Sequence, residues 1–550
     1  MKTLARNGLK RYVHVYGPVR NIKSTHLISS DDPLKLTDRE MRAIDKLPFM
    51  QTDGSGPLQP QSPRAKKEYL NAKLPIVRRL FAHDEYTGYL SYKKLKTLSN
   101  PYLDVQARQT VNTETGDVEC KGTSRLLVTK LLTKRWCELR ETYDIYSRLP
   151  IFEHPQVKVG KKEHRRLEDE VHPLPADLES FIEDFEIDIP NDPFHRFVED
   201  WYMALTRMVA LFHKGHAREL LAHAYLDSRT GELVHGPAKE DRDVLISGVI
   251  DHLVVTSCSQ DGIQAVPLDE HLLANSNNDL GELLEKLPRL VSDAMGSVEV
   301  VVSDVKTRLA RRIPSQSTVV SASKLQVMYY RRFLEILGKD PHAAYKMLLT
   351  NATRRGFDVD KPISPAKVIN LLEIDGIVQK DMKRLRDGEP IGFVPFDEYY
   401  NKHPQQYGMD TLDSKITDLR TRQKYKEFFV EWNSPVTLRY LAARMAQLHA
   451  CIAPLLSQKL MVEYYCGDYN FHNVLFRYDR DELQAQTFDS AMFWFGKREV
   501  EPIKPNVKNF ATYCRYCDYE SVCLWKKQGK DMCRSLGNEL DRTVAEETAS

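Results

Sequence analysis

The sequence lacks several things, and each absence narrows what the protein can be. No window of its 550 residues approaches 18 uninterrupted apolar positions, so no membrane span and no membrane partner are expected. Charge of one sign is not in excess: 79 Lys and Arg against 77 Asp and Glu leave a net charge of +2, so bulk composition does not point to nucleic acid. Any basic surface must come from local clustering. No repeat of fixed period is visible, so no repeat architecture is expected. Acids are missing altogether from the first 30 residues, where Lys2, Arg6, Lys10, Arg11, Arg20 and Lys23 stand among Ser and Thr, and Asp31 is the first carboxylate. This stretch lacks the apolar core of a secretory signal and has the composition of a mitochondrial transit peptide; the other reading is a basic nucleic-acid arm.

What is present is ordinary for a globular chain: 42% apolar residues, 28% charged, five Trp and 26 Tyr. Residues 51–64 (QTDGSGPLQPQSPR) read as a linker, so 31–115 is expected to be a poorly ordered extension ahead of a core at 116–535, with a tail at 536–550. Basic residues Lys158, Lys161, Lys162, Arg165 and Arg166 lead into 168–192, which holds ten acids and no Lys or Arg and reads as a surface excursion.

Beyond it, Phe197, Trp201, Leu205, Met208, Val209 and Phe212 recur at helical spacing. Two Val- and Ile-rich segments follow, DVLISGVID (243–251) and VEVVVSDVK (298–306), and then a helix carrying Leu325, Met328, Tyr329, Phe333 and Ile336. An insertion is expected at 351–415, a helix at 436–457, and strands in KLMVEYYCGD and HNVLFRY. The order predicts an α/β core with a mixed sheet flanked by helices.

Asp251 ends the first Val-rich segment, and Asp304 stands two residues before Lys306 near the end of the second. Carboxylates at strand ends are costly to bury unless a cation neutralises them, and Mg²⁺ accepts such oxygens while keeping water ligands for chemistry. The strand period of two puts Asp304 and Lys306 on one face. A D-x-K on its own is common and can be a surface pair. Its surroundings add weight. A helix with His213, His216 and Glu219 is expected before the first segment, and Gln326 and Tyr330 in Q-x-x-x-Y spacing follow the second. Between Val305 and Leu334 stand seven basic residues (Lys306, Arg308, Arg311, Arg312, Lys324, Arg331 and Arg332) and no acid, which suits a phosphodiester substrate or, more plainly, a solvated helix face.

Nine cysteines, an odd number with three crowded into Cys514, Cys517 and Cys523, do not suit a secreted disulfide framework. The C-x2-C-x5-C spacing suits a metal site whose fourth ligand is Cys533, as in a zinc knuckle, or Cys137, in KRWCELRETY. Spacing leaves zinc and an iron–sulfur cluster open.

Together, RWCEL, GVID, DVKTR, Q-x-x-x-Y, FWFGKRE and C-x2-C-x5-C resemble exonuclease V, the fungal mitochondrial branch of the RecB-like PD-(D/E)xK nucleases, over about residues 116–530. The resemblance implies a PD-(D/E)xK core whose ends are tied by a [4Fe–4S] cluster, and a monomeric, Mg²⁺-dependent, single-stranded-DNA exonuclease, 5′ to 3′, in mitochondrial DNA maintenance. It carries the cluster ligands to Cys137, Cys514, Cys517 and Cys523, leaving Cys533 out. It carries the metal-binding acids to Asp251 and Asp304, the catalytic lysine to Lys306, the DNA-contacting motif to Gln326 and Tyr330, and a first-helix acid to Glu219. The Val305 carbonyl joins the metal shell, and His213 and His216 compete for a histidine position. The Asp251 to Asp304 interval is long and is expected to hold an extra loop. The alternative readings are a non-catalytic DNA-binding protein on the same fold and a zinc-knuckle protein.

Overall fold

The computed structural model describes 100–106, 125–147, 155–176, 178, 181 and 188–549, apart from 239–241, 260–261, 315, 404–417 and 518, together with four short strand fragments at 82–83, 90–91, 109–111 and 118–120. Residues 1–30 and 51–64, with the targeting and linker readings, lie outside the described residues. The chain forms two compact units, one built on Ser124–Leu132 and Val159–Phe488, the other on Thr133–Lys158 and Asp489–Ser550.

The labelled elements, in chain order, are β1 (Arg125–Leu127), α1 (Glu138–Ser147), α2 (Pro155–Val171), α3 (Pro193–Lys214), β2 (His216–Asp227), β3 (Asp243–Ser257), α4 (Leu280–Ala294), β4 (Val298–Thr307), α5 (Ser317–Gly338), α6 (Pro341–Arg354), α7 (Pro365–Ile374), α8 (Gln379–Asp387), α9 (Val394–Lys402), α10 (Leu438–Ile452), β5 (Leu456–Cys466), β6 (Tyr469–Arg477), α11 (Arg480–Trp494) and α12 (Leu524–Ala549).

In the first unit a six-stranded mixed sheet runs β6–β5–β4–β3–β1, with β2 antiparallel to β3 off that path. β4 is antiparallel to β3 and parallel to β5. This is the expected α/β core with a mixed sheet. β3 has to be long because it serves three neighbours: β2 along most of its length, β1 at 245–247 and β4 at 252–257. Its inner positions are accordingly buried on both faces.

Helix α3 places the apolar series as expected: Phe197, Trp201, Leu205, Met208, Val209 and Phe212 are all buried. Its ends are fixed by local chemistry. The Asp192 carboxylate accepts the amides of Phe194 and His195 ahead of Pro193, and Gly215 closes the helix at φ 77°. A side chain at Gly215 would meet the Val266 backbone at 2.5 Å. The helix therefore stops at Lys214, and the chain turns into β2 at His216. This corrects the expectation of one helix through His213, His216 and Glu219: the last two are strand residues.

Helix α5 packs on β2, β4 and β5, and α10 on α3, α5 and α6. The extra segment between Asp251 and Asp304 holds α4 and a short helical turn, Leu272–Asn275. The insertion expected at 351–415 holds, over its described residues, helices α7, α8 and α9 between α6 and α10. Fully buried Asp381 on α8 is held at both oxygens by Arg444 on α10, at 2.6 and 2.7 Å, which compensates a charge that would otherwise be costly in the interior. In the second unit, 536–549 continue helix α12.

Candidate active site and cysteine site

The register between β2 and β3 runs Arg218 to His252 and Leu220 to Ile250, so Glu219 stands across from Asp251. Between β3 and β4 the last pair is His252 with Ser303, and one step further the two strands present Asp251 and Asp304 side by side. Three strands thus bring three carboxylates to one place. Glu219 has φ +55°, a left-handed backbone that a residue with a Cβ seldom adopts and that needs outside support. Buried Arg207 supplies it. Its Nη1 donates to the Glu219 carbonyl at 2.8 Å, and its Nη2 pairs with Glu168 of α2.

The fourth group comes from α2. His164 Nδ1 is 3.2 Å from Glu219 Oε1 and 3.8 Å from Asp251 Oδ1. His164, Glu219 and Asp251 form the one set of three or more potential metal-ligating side chains among the described residues whose ligand atoms all lie within 4.8 Å. Neither histidine expected here is part of it. His213 ends α3, and His216 sits three residues before Glu219, with its ring 6.1 Å from that of His252. The signal for His164 lies in the helical run KKEHRRLE, where its basic neighbours, which lead into the acidic stretch 168–192, mask it.

Asp304 is fully buried. Lys306 Nζ approaches its Oδ2 to 2.6 Å as an ion pair, yet neither Asp304 oxygen receives a well-directed hydrogen bond. Lys306 Nζ also donates to Gln326 Oε1 at 3.1 Å, and Gln326 Nε2 donates to the Tyr330 hydroxyl at 3.0 Å. The D-x-K and Q-x-x-x-Y motifs therefore meet as one chain of contacts, with i and i+4 on α5 presenting Gln326 and Tyr330 together. Val305, expected to lend its carbonyl, meets the site through its amide, which donates to Asp251 Oδ2 at 2.7 Å. Gly248 leaves room for the Tyr330 ring, since a Cβ there would come within 2.6 Å of Tyr330 Cε1.

The electrostatics describe a site short of positive charge. Burial pushes the Asp251 carboxyl well above the usual carboxylate range, and the neighbouring Asp304 and Glu219 push it further, against His164 and Lys306. Burial pulls the His164 imidazole down, but Asp251 and Glu219 outweigh that and raise it. Three acids, two cations and two orphaned oxygens on Asp304 are a donor set that a divalent cation fits.

In the second unit Cys137, Cys514, Cys517 and Cys523 line one cavity, walled by Trp136, Tyr143 and Trp525. The Ile503 amide points at Cys137 Sγ, 3.5 Å away. Burial pushes all four thiols up, Cys523 to about 11. Cys533 packs against Phe510 instead and does not line the cavity.

A family profile described as exonuclease V, a 5′ deoxyribonuclease, matches residues 119–526. The chain belongs to the exonuclease V family. It is an exodeoxyribonuclease, and its place is the mitochondrion. It is 42% identical to "Exonuclease V, mitochondrial" of Kluyveromyces lactis, over 97% of this chain and 99% of the relative. It is 48% identical to the protein of the same name from Eremothecium gossypii, over 88% of this chain and 92% of the relative. A third, from Saccharomyces cerevisiae, is 35% identical over 95% of this chain and 93% of the relative.

Proposed function

We propose that this exonuclease V hydrolyses single-stranded DNA from the 5′ end with Mg²⁺, on a PD-(D/E)xK core, and holds a [4Fe–4S] cluster on its four clustered thiols. The observation that carries the first part is Lys306 held between Asp304 and Gln326, in a cluster where three carboxylates face two cationic groups. Asp251, Asp304, Glu219 and His164, with the Val305 carbonyl, would hold the cation. When bound, the divalent ion supplies Lewis acidity at the scissile phosphate and an acidified water.

The protein's own groups do the rest. Asp304 and Gln326 keep the Lys306 ammonium from swinging away, so that it meets charge growing on the phosphoryl oxygens without reorganising. Burial and the nearby acids hold the Tyr330 phenol well above its ordinary range. It therefore stays a neutral hydroxyl that accepts from Gln326 and fixes the face Gln326 turns to Lys306.

For the thiols, four cysteines lining one cavity supply the complete ligand set that an iron–sulfur cluster requires. When bound, it would tie Cys137 to residues 514–523 across a long stretch of intervening chain. Residues 1–30 are proposed as the transit peptide, and a reporter fused to them should enter mitochondria.

The deciding experiment uses end-labelled single strands, 5′ and 3′, with and without Mg²⁺, on the wild type and Asp304→Asn. Release from the 5′ label by the wild type with Mg²⁺ alone, and none by the variant, is expected. Near-wild-type cutting by Asp304→Asn would mean that the site is misassigned.

A further inference from the structure

The seven basic residues after Val305 do not share one role. Arg331 and Arg332 are buried, and both point at Glu335, at 3.3 and 2.7 Å. Arg308, Arg311 and Lys324 are different. Each lies over an aromatic ring of the β5–β6 hairpin: Arg308 over Tyr464 at 5.5 Å, Arg311 over Tyr469 at 4.4 Å, and Lys324 over Phe476 at 5.4 Å. None of the three has a carboxylate within ion-pair distance among the described residues. An aromatic face holds a cation in place without neutralising it, so its N–H donors stay available to an anion.

Their placement relative to the active site is fixed by register. Tyr464 is the strand neighbour of Lys306 across the parallel β4–β5 ladder. The Arg308 amide donates to the Tyr465 carbonyl at 2.7 Å, which seats the segment after β4 against β5. Tyr469 faces Cys466, and Phe476 faces Leu460, so the other two rings lie on either side of Tyr464 along the hairpin. At about 3.3 Å per residue the three rings span about 20 Å, centred beside Lys306. Arg311 and Tyr469 are exposed. Tyr464 is buried and serves as the seat of half-buried Arg308, whereas Tyr469 is exposed and Phe476 partly so. This is the pattern single strands call for: spaced cations for phosphates and accessible rings at the two ends for bases, with no base-edge code.

We propose that these three cation–ring pairs form the track on which the single strand lies across the active site, with Arg308–Tyr464 at the phosphate next to the one cut and Arg311–Tyr469 and Lys324–Phe476 gripping nucleotides on its two sides. The assignment rests on the Asp304–Lys306 site being the hydrolytic centre, and its test separates the two ideas.

Full-length enzyme carrying Arg311→Gln, Lys324→Gln, Tyr469→Ala or Tyr469→Phe is assayed on an oligothymidylate for KM, kcat and the salt dependence of KM, with Arg289→Gln, at an exposed position on α4, as control. Removing a ring or a cation should raise KM about fivefold to tenfold, more than it lowers kcat. Each lost cation should flatten the salt slope by roughly 0.7. Tyr469→Phe should keep the wild-type KM, because the stacking face survives. If Arg311→Gln and Lys324→Gln match the Arg289→Gln control in KM and salt slope while Asp304→Asn is inactive, the track is wrong and the active site stands. If Asp304→Asn cuts normally, the active site is wrong and the track falls with it.

Discussion

His164 Nδ1 lies 3.2 Å from Glu219 Oε1, on an element that its charged surroundings disguised. The contact brings a helix to a carboxylate cluster otherwise built from strands, and it separates His164 from the two histidines that sequence order favours. His164→Ala should lower hydrolysis about 10- to 100-fold at limiting Mg²⁺, with partial recovery at high Mg²⁺, as expected when one group of a metal shell is lost. His213→Ala and His216→Ala should stay close to wild type. An Mg²⁺ titration of the three variants decides it, and a loss confined to His213→Ala or His216→Ala would return the site to the sequence expectation.

Gly248 is a test of the Tyr330–Gln326–Lys306 chain that touches none of the proposed ligands. A methyl there would sit 2.6 Å from the Tyr330 ring and 3.1 Å from Val128, so buried Tyr330 must move. Gly248→Ala should cost about 1–3 kcal/mol of stability, as overpacked cores do. It should also lower kcat about tenfold through Lys306 misalignment. Denaturant melts and single-turnover rates at saturating DNA measure the two separately. Loss of stability with unchanged kcat would mean that Tyr330 does not position Lys306.

Purified protein should be brown, and Cys514→Ser should bleach its broad visible absorbance and lower its melting temperature, because metal-site binding energy is partly folding energy. Cys533→Ser should keep the colour, since that thiol packs on Phe510 outside the cavity. Colourless protein with stoichiometric zinc would count against the cluster.

Glu463 offers a pH test outside the Asp251–Asp304–Glu219 cluster. Burial would raise its carboxyl, but His252, with its Nδ1 2.8 Å away, and Arg218 hold it down to about 2. A depressed carboxylate stabilises the fold above its unfolded value of about 4.3, and that contribution is lost as pH falls from there through about 2. Wild type should therefore lose roughly 3 kcal/mol more than Glu463→Gln between neutral pH and pH 2, and urea unfolding across that range reports it. Parallel acid limbs for the two proteins would contradict the assignment.

The elements with a strong period were legible in the chain: α3, α5, β3, β4 and β5 lie where apolar spacing puts them. Asp251, Asp304, Lys306, Gln326 and Tyr330 were legible too, because a strand period of two and a helical i, i+4 are local rules that bring such residues to one face. The four cysteines could be grouped only by resemblance, since spacing left both Cys137 and Cys533 open as the fourth ligand. It took the folded cavity to separate them.

What the sequence could not decide were positions set by contacts distant along the chain. Glu219 reaches the carboxylate cluster because Gly215 ends α3, because the β2–β3 register puts it across from Asp251, and because Arg207 supports a left-handed backbone. His164 joins it because α2 packs where its ring reaches two strands. The basic run after Val305 splits into structural and free cations according to which rings and acids the fold brings beside it. Local periodicity dictates which face a side chain shares with its neighbours. Only tertiary packing decides which face meets which, because that choice depends on burial summed over the whole chain rather than on any one segment's own preference.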